Sequence, residues 1–64
     1  MPYFNSSAIK RAEYDEATGR LTIWFPQGHS YDYCGVPLEI WQGLLAAGSP
    51  GRYFNAFIAD RYHC

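Results

Sequence analysis

The sequence predicts an α+β fold, an antiparallel three-stranded meander followed by two short helices packed on one of its faces. Three observations predict it. Residues 20–25 alternate, with Leu21, Ile23 and Phe25 apolar between Arg20, Thr22 and Trp24, which is the pattern of a half-buried strand. Short turn-forming stretches flank that strand, so neighbours in sequence pair in space and the second strand is central. Beyond Gly35 the apolar period becomes helical and restarts once, at Ser49-Pro50.

Taken in order, residues 1–7 read as an arm in which Tyr3 and Phe4 pack down while Ser6 and Ser7 lead into the first strand. From Ala8 to Tyr14, the residues Ile9, Ala12 and Tyr14 share a face only if an extra residue is accommodated near Lys10 and Arg11, which predicts a β-bulge. Asp15-Glu16-Ala17-Thr18-Gly19 is a polar turn ending in glycine. In the next turn, Pro26 pre-sets a type I turn and Gly28 supplies the positive φ of a following bulge, implying a three-residue loop. Phe25 then faces His29, Ile23 faces Tyr31 and Leu21 faces Tyr33, placing both tyrosines on the core face. A two-residue loop, Gln27-Gly28, would slip the register by one and turn both tyrosines to the face of Trp24. Proline just before such a loop disfavours it.

Val36-Pro37 opens the first helix, with proline in the first turn, where its missing N–H costs nothing. Val36, Ile40, Leu44 and Ala47 form its stripe, Trp41 and Leu45 border it, and Gly48 is read as the C-terminal cap. Gly43 weakens this helix by about 1 kcal/mol relative to alanine, which points to close packing there. In the second helix Ser49 is read as N-cap and Pro50 as first residue, with Phe54, Phe57, Ile58 and Tyr62 as the apolar stripe and Tyr53 beside it. The expected core is Ile9, Leu21, Ile23, Phe25, Tyr31, Tyr33, Ile40, Leu44, Phe54, Phe57 and Ile58.

Residues 1–64 are read as a single domain, near the lower size limit for a core without staples. Aromatics make up 19% of the chain, so rings close much of that core and intrinsic disorder is excluded. A net charge of −1 gives no general pull towards nucleic acid or anionic lipid, so any such binding must be local. The first residues lack a signal peptide's basic flank and apolar run, and no stretch is long enough to span a membrane, so a cytoplasmic protein with no membrane partner is expected. Cys34 and Cys64 match no metal spacing and are read as free thiols. A bridge between them would staple the tail to the sheet but would be unusual in a reducing compartment.

Ser6-Ser7, Ile9, Tyr14-Asp15, Leu21, Ile23, Phe25, Gly28, Tyr31-Asp32-Tyr33, Val36-Pro37, Leu44, Ala47, Ser49, Gly51 and Tyr53-Phe54-Asn55 together resemble the KTSC domain. That family is named for the C-terminal part of some lysyl-tRNA synthetases and also occurs as small stand-alone bacterial proteins. The likeness covers essentially the whole chain. It implies no catalytic residue, and only the fusion partner suggests RNA. Ala12 replaces a larger aliphatic and Trp41 a common tyrosine, and Cys34 and Cys64 lie outside the pattern.

Two candidate sites follow. Trp24 on the outer face of the central strand, flanked by Lys10 or Arg11 on one side and Ser30 on the other with Arg20 further along, could stack a base while the cations hold phosphates, against the opposing charges of Glu13 and Asp32. Ser49, Gly51 and Arg52 place N–H groups and a guanidinium at a helix start suited to an anion, although a serine cap alone explains the same residues. Trp24 could equally pack beneath Tyr3 and Phe4 or in a dimer. His29, Cys34, His63 and Cys64 carry the right atoms for zinc, but His63 and Cys64 are the last two residues and His29 lies at a hairpin turn, which argues against a metal site, and no nucleophile has an evident base. The expectation is a non-catalytic domain with no cofactor or metal, binding RNA weakly or, alternatively, meeting a second copy or another protein.

Overall fold

The structure is a computed structural model that describes residues 8–64, so the arm read over residues 1–7, and Trp24's packing beneath it, lie outside the described residues. Strands β1 (Arg11–Asp15), β2 (Arg20–Trp24) and β3 (Ser30–Tyr33) form an antiparallel sheet of order β1-β2-β3, followed by helices α1 (Leu38–Ala46) and α2 (Pro50–Phe57). The turn chemistry sets the register as expected. Gly28 has φ +90°, Gly28 N–H donates to Phe25 O at 3.1 Å and Phe25 N–H to His29 O at 2.9 Å. Ile23 accordingly faces Tyr31, and Leu21 faces Tyr33.

The bulge at the start of β1 is present. Trp24 pairs with Arg11 and also accepts the Lys10 N–H at 2.8 Å, so two residues oppose one. This is what lets Ile9 and Ala12, an odd number of residues apart, both be fully buried. The other end of the sheet is closed by Gly19, whose carbonyl accepts the Val36 N–H at 2.9 Å. A Cβ on Gly19 would lie 3.3 Å from the backbone of Gly35 and Val36, and its φ of +75° suits glycine, so this approach requires it twice over. Tyr14 reinforces the junction by donating its hydroxyl to Val36 O at 2.6 Å and stacking on Trp41 at 5.5 Å.

Ile9, Ala12, Leu21, Ile23, Val36, Leu44 and Ile58 form the buried centre, with Tyr14, Phe25, Tyr33, Ile40, Trp41, Tyr53, Phe54 and Tyr62 partly buried around it. Two residues expected in the core are not there: Tyr31 is 55% exposed and Phe57 48%. Tyr31 lies on the edge strand near the hairpin, where its ring neighbours are Phe25 and His29. Phe57 ends α2 and lies on Tyr53 at 4.7 Å, while Ile58 takes the buried position. Tyr62 reaches the core from beyond the helix rather than on its stripe.

Several local expectations are also corrected. Pro37 is the N-cap of α1 rather than a residue of its first turn, and the helix ends on extended Ala47 (φ −67°, ψ 135°), with no cap at Gly48. Ser49 occupies the N-cap position of α2, but its side chain makes no capping hydrogen bond. Gly43 does sit at a close approach, since a Cβ there would run into the Tyr53 hydroxyl, which donates to Ile40 O at 3.1 Å. Cys34 and Cys64 are not free thiols but form a disulfide with Cα atoms 4.9 Å apart. Their distance in sequence carried no information about this, because the chain beyond α2 reverses through Asp60 (φ +62°) and returns to the end of β3.

Candidate binding surfaces

The outer face of the sheet carries Arg11 and Glu13 on β1, Arg20, Thr22 and Trp24 on β2, and Ser30 and Asp32 on β3. The register makes rows of Arg11, Trp24 and Ser30 and of Glu13, Thr22 and Asp32. Arg11 and Trp24 come together as the sequence predicts: the guanidinium carbon lies 4.0 Å from the indole centroid. The same guanidinium binds Glu13 at 2.7 Å. The Nε of that guanidinium is buried and hydrogen-bonds nothing among the described residues. Lys10 is exposed beside this pair.

Arg20 does not join them. It binds Asp32 at 2.7 Å, and Thr22 Oγ1 donates to the other carboxylate oxygen at 2.8 Å. Asp32 is therefore a bonded residue, not merely a solvated one. The Thr22 hydroxyl first, and then Arg20, hold its carboxyl below the ordinary value of 3.8. The adjoining shallow hollow is lined by Glu13, Tyr14, Asp15, Arg20 and Thr22, in which two carboxylates accompany one cation. The predicted register sets Asp32 opposite Thr22, two residues along the same face from Arg20, which makes the Thr22 bond legible and leaves the diagonal Arg20 pairing open.

A second surface follows the rings at the hairpin end. His29 meets Tyr31 at 5.4 Å, Tyr31 meets Phe25 at 5.7 Å, and Phe25 and Tyr33 each meet Phe54 at 5.6 Å, all edge to face. The row runs from exposed His29 and Tyr31 down to half-buried Phe54 on α2. Burial first, then neighbouring Tyr31 and Asp60, push the Tyr33 phenol above its ordinary value of 10.0.

The start of α2 brings Ser49, Gly51 and Arg52 together by sequence alone. A Cβ on Gly51 would fall 2.6 Å from Ala8 Cβ, so close packing already accounts for the glycine. Ser49 and Arg52 are exposed.

The fold and its surfaces define a class, a small α+β domain whose buried centre, among the described residues, holds no polar or charged side chain and whose chemistry lies at the surface. The KTSC domain model matches residues 5–62, and the chain belongs to that family. A protein of Tsukamurella paurometabola is 44% identical over 57 residues, spanning 89% of this chain and 85% of its own length. The lysine–tRNA ligase of Nostoc punctiforme is 39% identical over 56 residues, 88% of this chain but only 10% of the enzyme. Among solved structures, a KTSC domain protein from Yersinia pestis superposes with a TM-score of 0.92 at 33% identity, covering 95% of this chain and 86% of that one. The family model and the solved structure are named for the KTSC domain and for no activity. No helix among the described residues is long and apolar enough to cross a membrane.

Proposed function

We propose that the chain is a non-catalytic module that binds structured RNA weakly, through the outer face of the sheet. The observation that carries this reading is the Arg11–Trp24 stack, with its 4.0 Å separation and Lys10 beside it. The guanidinium covers one face of the indole, so a base would stack on the free face or on the guanidinium itself. The guanidinium edge and Lys10 offer donors to phosphate, and Arg20 stands further along β2. Likeness to a segment of lysine–tRNA ligase supports tRNA as the kind of RNA to try first. Ser49, Gly51 and Arg52 at the start of α2 would hold a further phosphate. Arg11 and Arg20 already bind Glu13 and Asp32, so phosphates must displace carboxylates, and binding weakens steeply with salt. The test is titration with tRNA and single-stranded RNA while following tryptophan fluorescence at low and physiological salt. Quenching that Trp24→Ala and Arg11→Ala abolish, and that Lys10→Ala and Arg20→Ala weaken, is expected. Absence of quenching at low salt, or quenching indifferent to these changes, would overturn the reading.

Exposed Tyr31, edge to face with His29 and Phe25, favours a second reading, a protein contact or homodimer at the hairpin end. A sizing column separates the two: Tyr31→Ala changes self-association under the second reading and leaves RNA titrations unchanged under the first.

A further inference from the structure

Alternation of hydrogen bonding along β3 fixes which of its backbone groups face outward. Phe25 N–H donates to His29 O across the hairpin, so the bonded pairs continue as Ile23 with Tyr31 and Leu21 with Tyr33. The N–H groups of Ser30, Asp32 and Cys34 consequently point away from β2, along the outer edge of the sheet. At Cys34 that edge is occupied, because its N–H donates to Tyr62 O at 2.9 Å. The returning tail is thus held to the end of the edge strand by one backbone bond and by the Cys34–Cys64 disulfide, with the half-buried Tyr62 ring packed against the buried centre. Beyond Ile58 none of the tail residues is fully buried, and Cys64 itself is exposed.

We propose that the Cys34–Cys64 disulfide is a reversible redox site, reduced by a dithiol, that latches the C-terminal tail over the end of the β3 edge. A thiolate of the dithiol attacks Sγ of Cys64, the more exposed of the two residues, forming a mixed disulfide and releasing Cys34 as thiolate. The second thiol of the dithiol attacks that mixed disulfide and releases Cys64. Two electrons pass to the protein, the dithiol becomes a disulfide, and its two protons end on the cysteines. Across to β3 and the buried centre, among the described residues, the tail then keeps the Tyr62 carbonyl bond and ring contact, and it detaches from the edge. The fully buried centre contains no residue beyond Ile58, and Tyr62 packs only against its outside, so the opening is confined to the tail. This latch operates whether or not the outer face binds RNA.

The test compares backbone amide exchange by NMR in the oxidised full chain and in the same sample treated with dithiothreitol. Freshly purified protein is expected to show no free thiols, and reduction to yield both. Exchange at Cys34 should rise at least about ten-fold and residues 60–64 should move towards random-coil shifts, while Leu21 and Ile23 keep their protection. Cys64→Ser should show the opened spectrum without reductant, and reoxidation of the parent should restore the closed one. The proposal is overturned by free thiols in the unreduced protein, by resistance to dithiothreitol, or by an unchanged Cys34 amide after complete reduction. Loss of protection at Leu21 and Ile23 on reduction would also overturn it, since the bond would then be a staple of the whole fold.

Discussion

Asp32 shows how position decides what an interaction is worth. Its carboxylate accepts from Thr22 at 2.8 Å and from Arg20 at 2.7 Å, yet all three side chains are open to water, which screens the attraction. A carboxyl whose folded value is lowered contributes stability above its unfolded value and loses it as pH falls through the folded one. Asp32→Asn should therefore lower the melting temperature slightly at neutral pH, with the difference from the parent closing as pH falls below 3.8. The difference should also shrink in about 1 M salt, where charges are screened beyond about 3 Å. Thermal melts across pH and salt measure this, and a difference that persists at low pH would assign Asp32 a role other than this charge. Tyr31 teaches a related lesson at the same scale. Its face was legible from the turn, but its exposure was not, because alternation tells which side a ring takes and not whether anything covers it.

Elements were most legible where backbone chemistry left few choices. Pro26 and Gly28 allow one comfortable loop, so the β2–β3 register followed, and the parity conflict between Ile9 and Ala12 located the bulge. Helix ends were less legible, because several arrangements satisfy the same terminal groups. The residue before a proline is pushed to extended backbone, and Ser49 obeys this at φ −133° and ψ 92°. Its backbone carbonyl accepts from Tyr53 N–H at 3.0 Å while its hydroxyl stays out of the cap. Ser49→Ala should consequently change stability by less than about 0.5 kcal/mol, against the roughly 1 kcal/mol of a working serine cap. Urea denaturation of the two proteins decides between these values, and a loss near the larger one would show that the hydroxyl caps the helix in solution. The candidate site shows the same division: the sequence brought Arg11 to Trp24 through strand register, whereas the pairing of Arg20 with Asp32 depends on a diagonal reach that register alone leaves open.

At the scale of the molecule, 64 residues leave little margin, and stability rests on the few side chains that water does not reach. The disulfide was the feature least visible in advance, since it depends on where the chain reverses after α2 and on the compartment's redox state, neither of which residue spacing encodes. The core was legible in outline: Ile9, Leu21, Ile23, Leu44 and Ile58 are all fully buried, but the aromatic residues expected beside them form a half-exposed shell. That division predicts a graded response. Leu44 is the buried residue of α1 and is completely enclosed, so Leu44→Ala removes apolar contacts and leaves a cavity, at a cost of about 2–5 kcal/mol. A domain of this size holds on the order of 5 kcal/mol in total, so the variant should be largely unfolded at physiological temperature. Phe57→Ala deletes a larger side chain, but one 48% exposed and lying on Tyr53, and should cost well under half as much. Thermal and urea melts of both variants test this order, and a Phe57→Ala loss equal to that of Leu44→Ala would mean that the ring is buried in solution, most simply by a second copy of the chain.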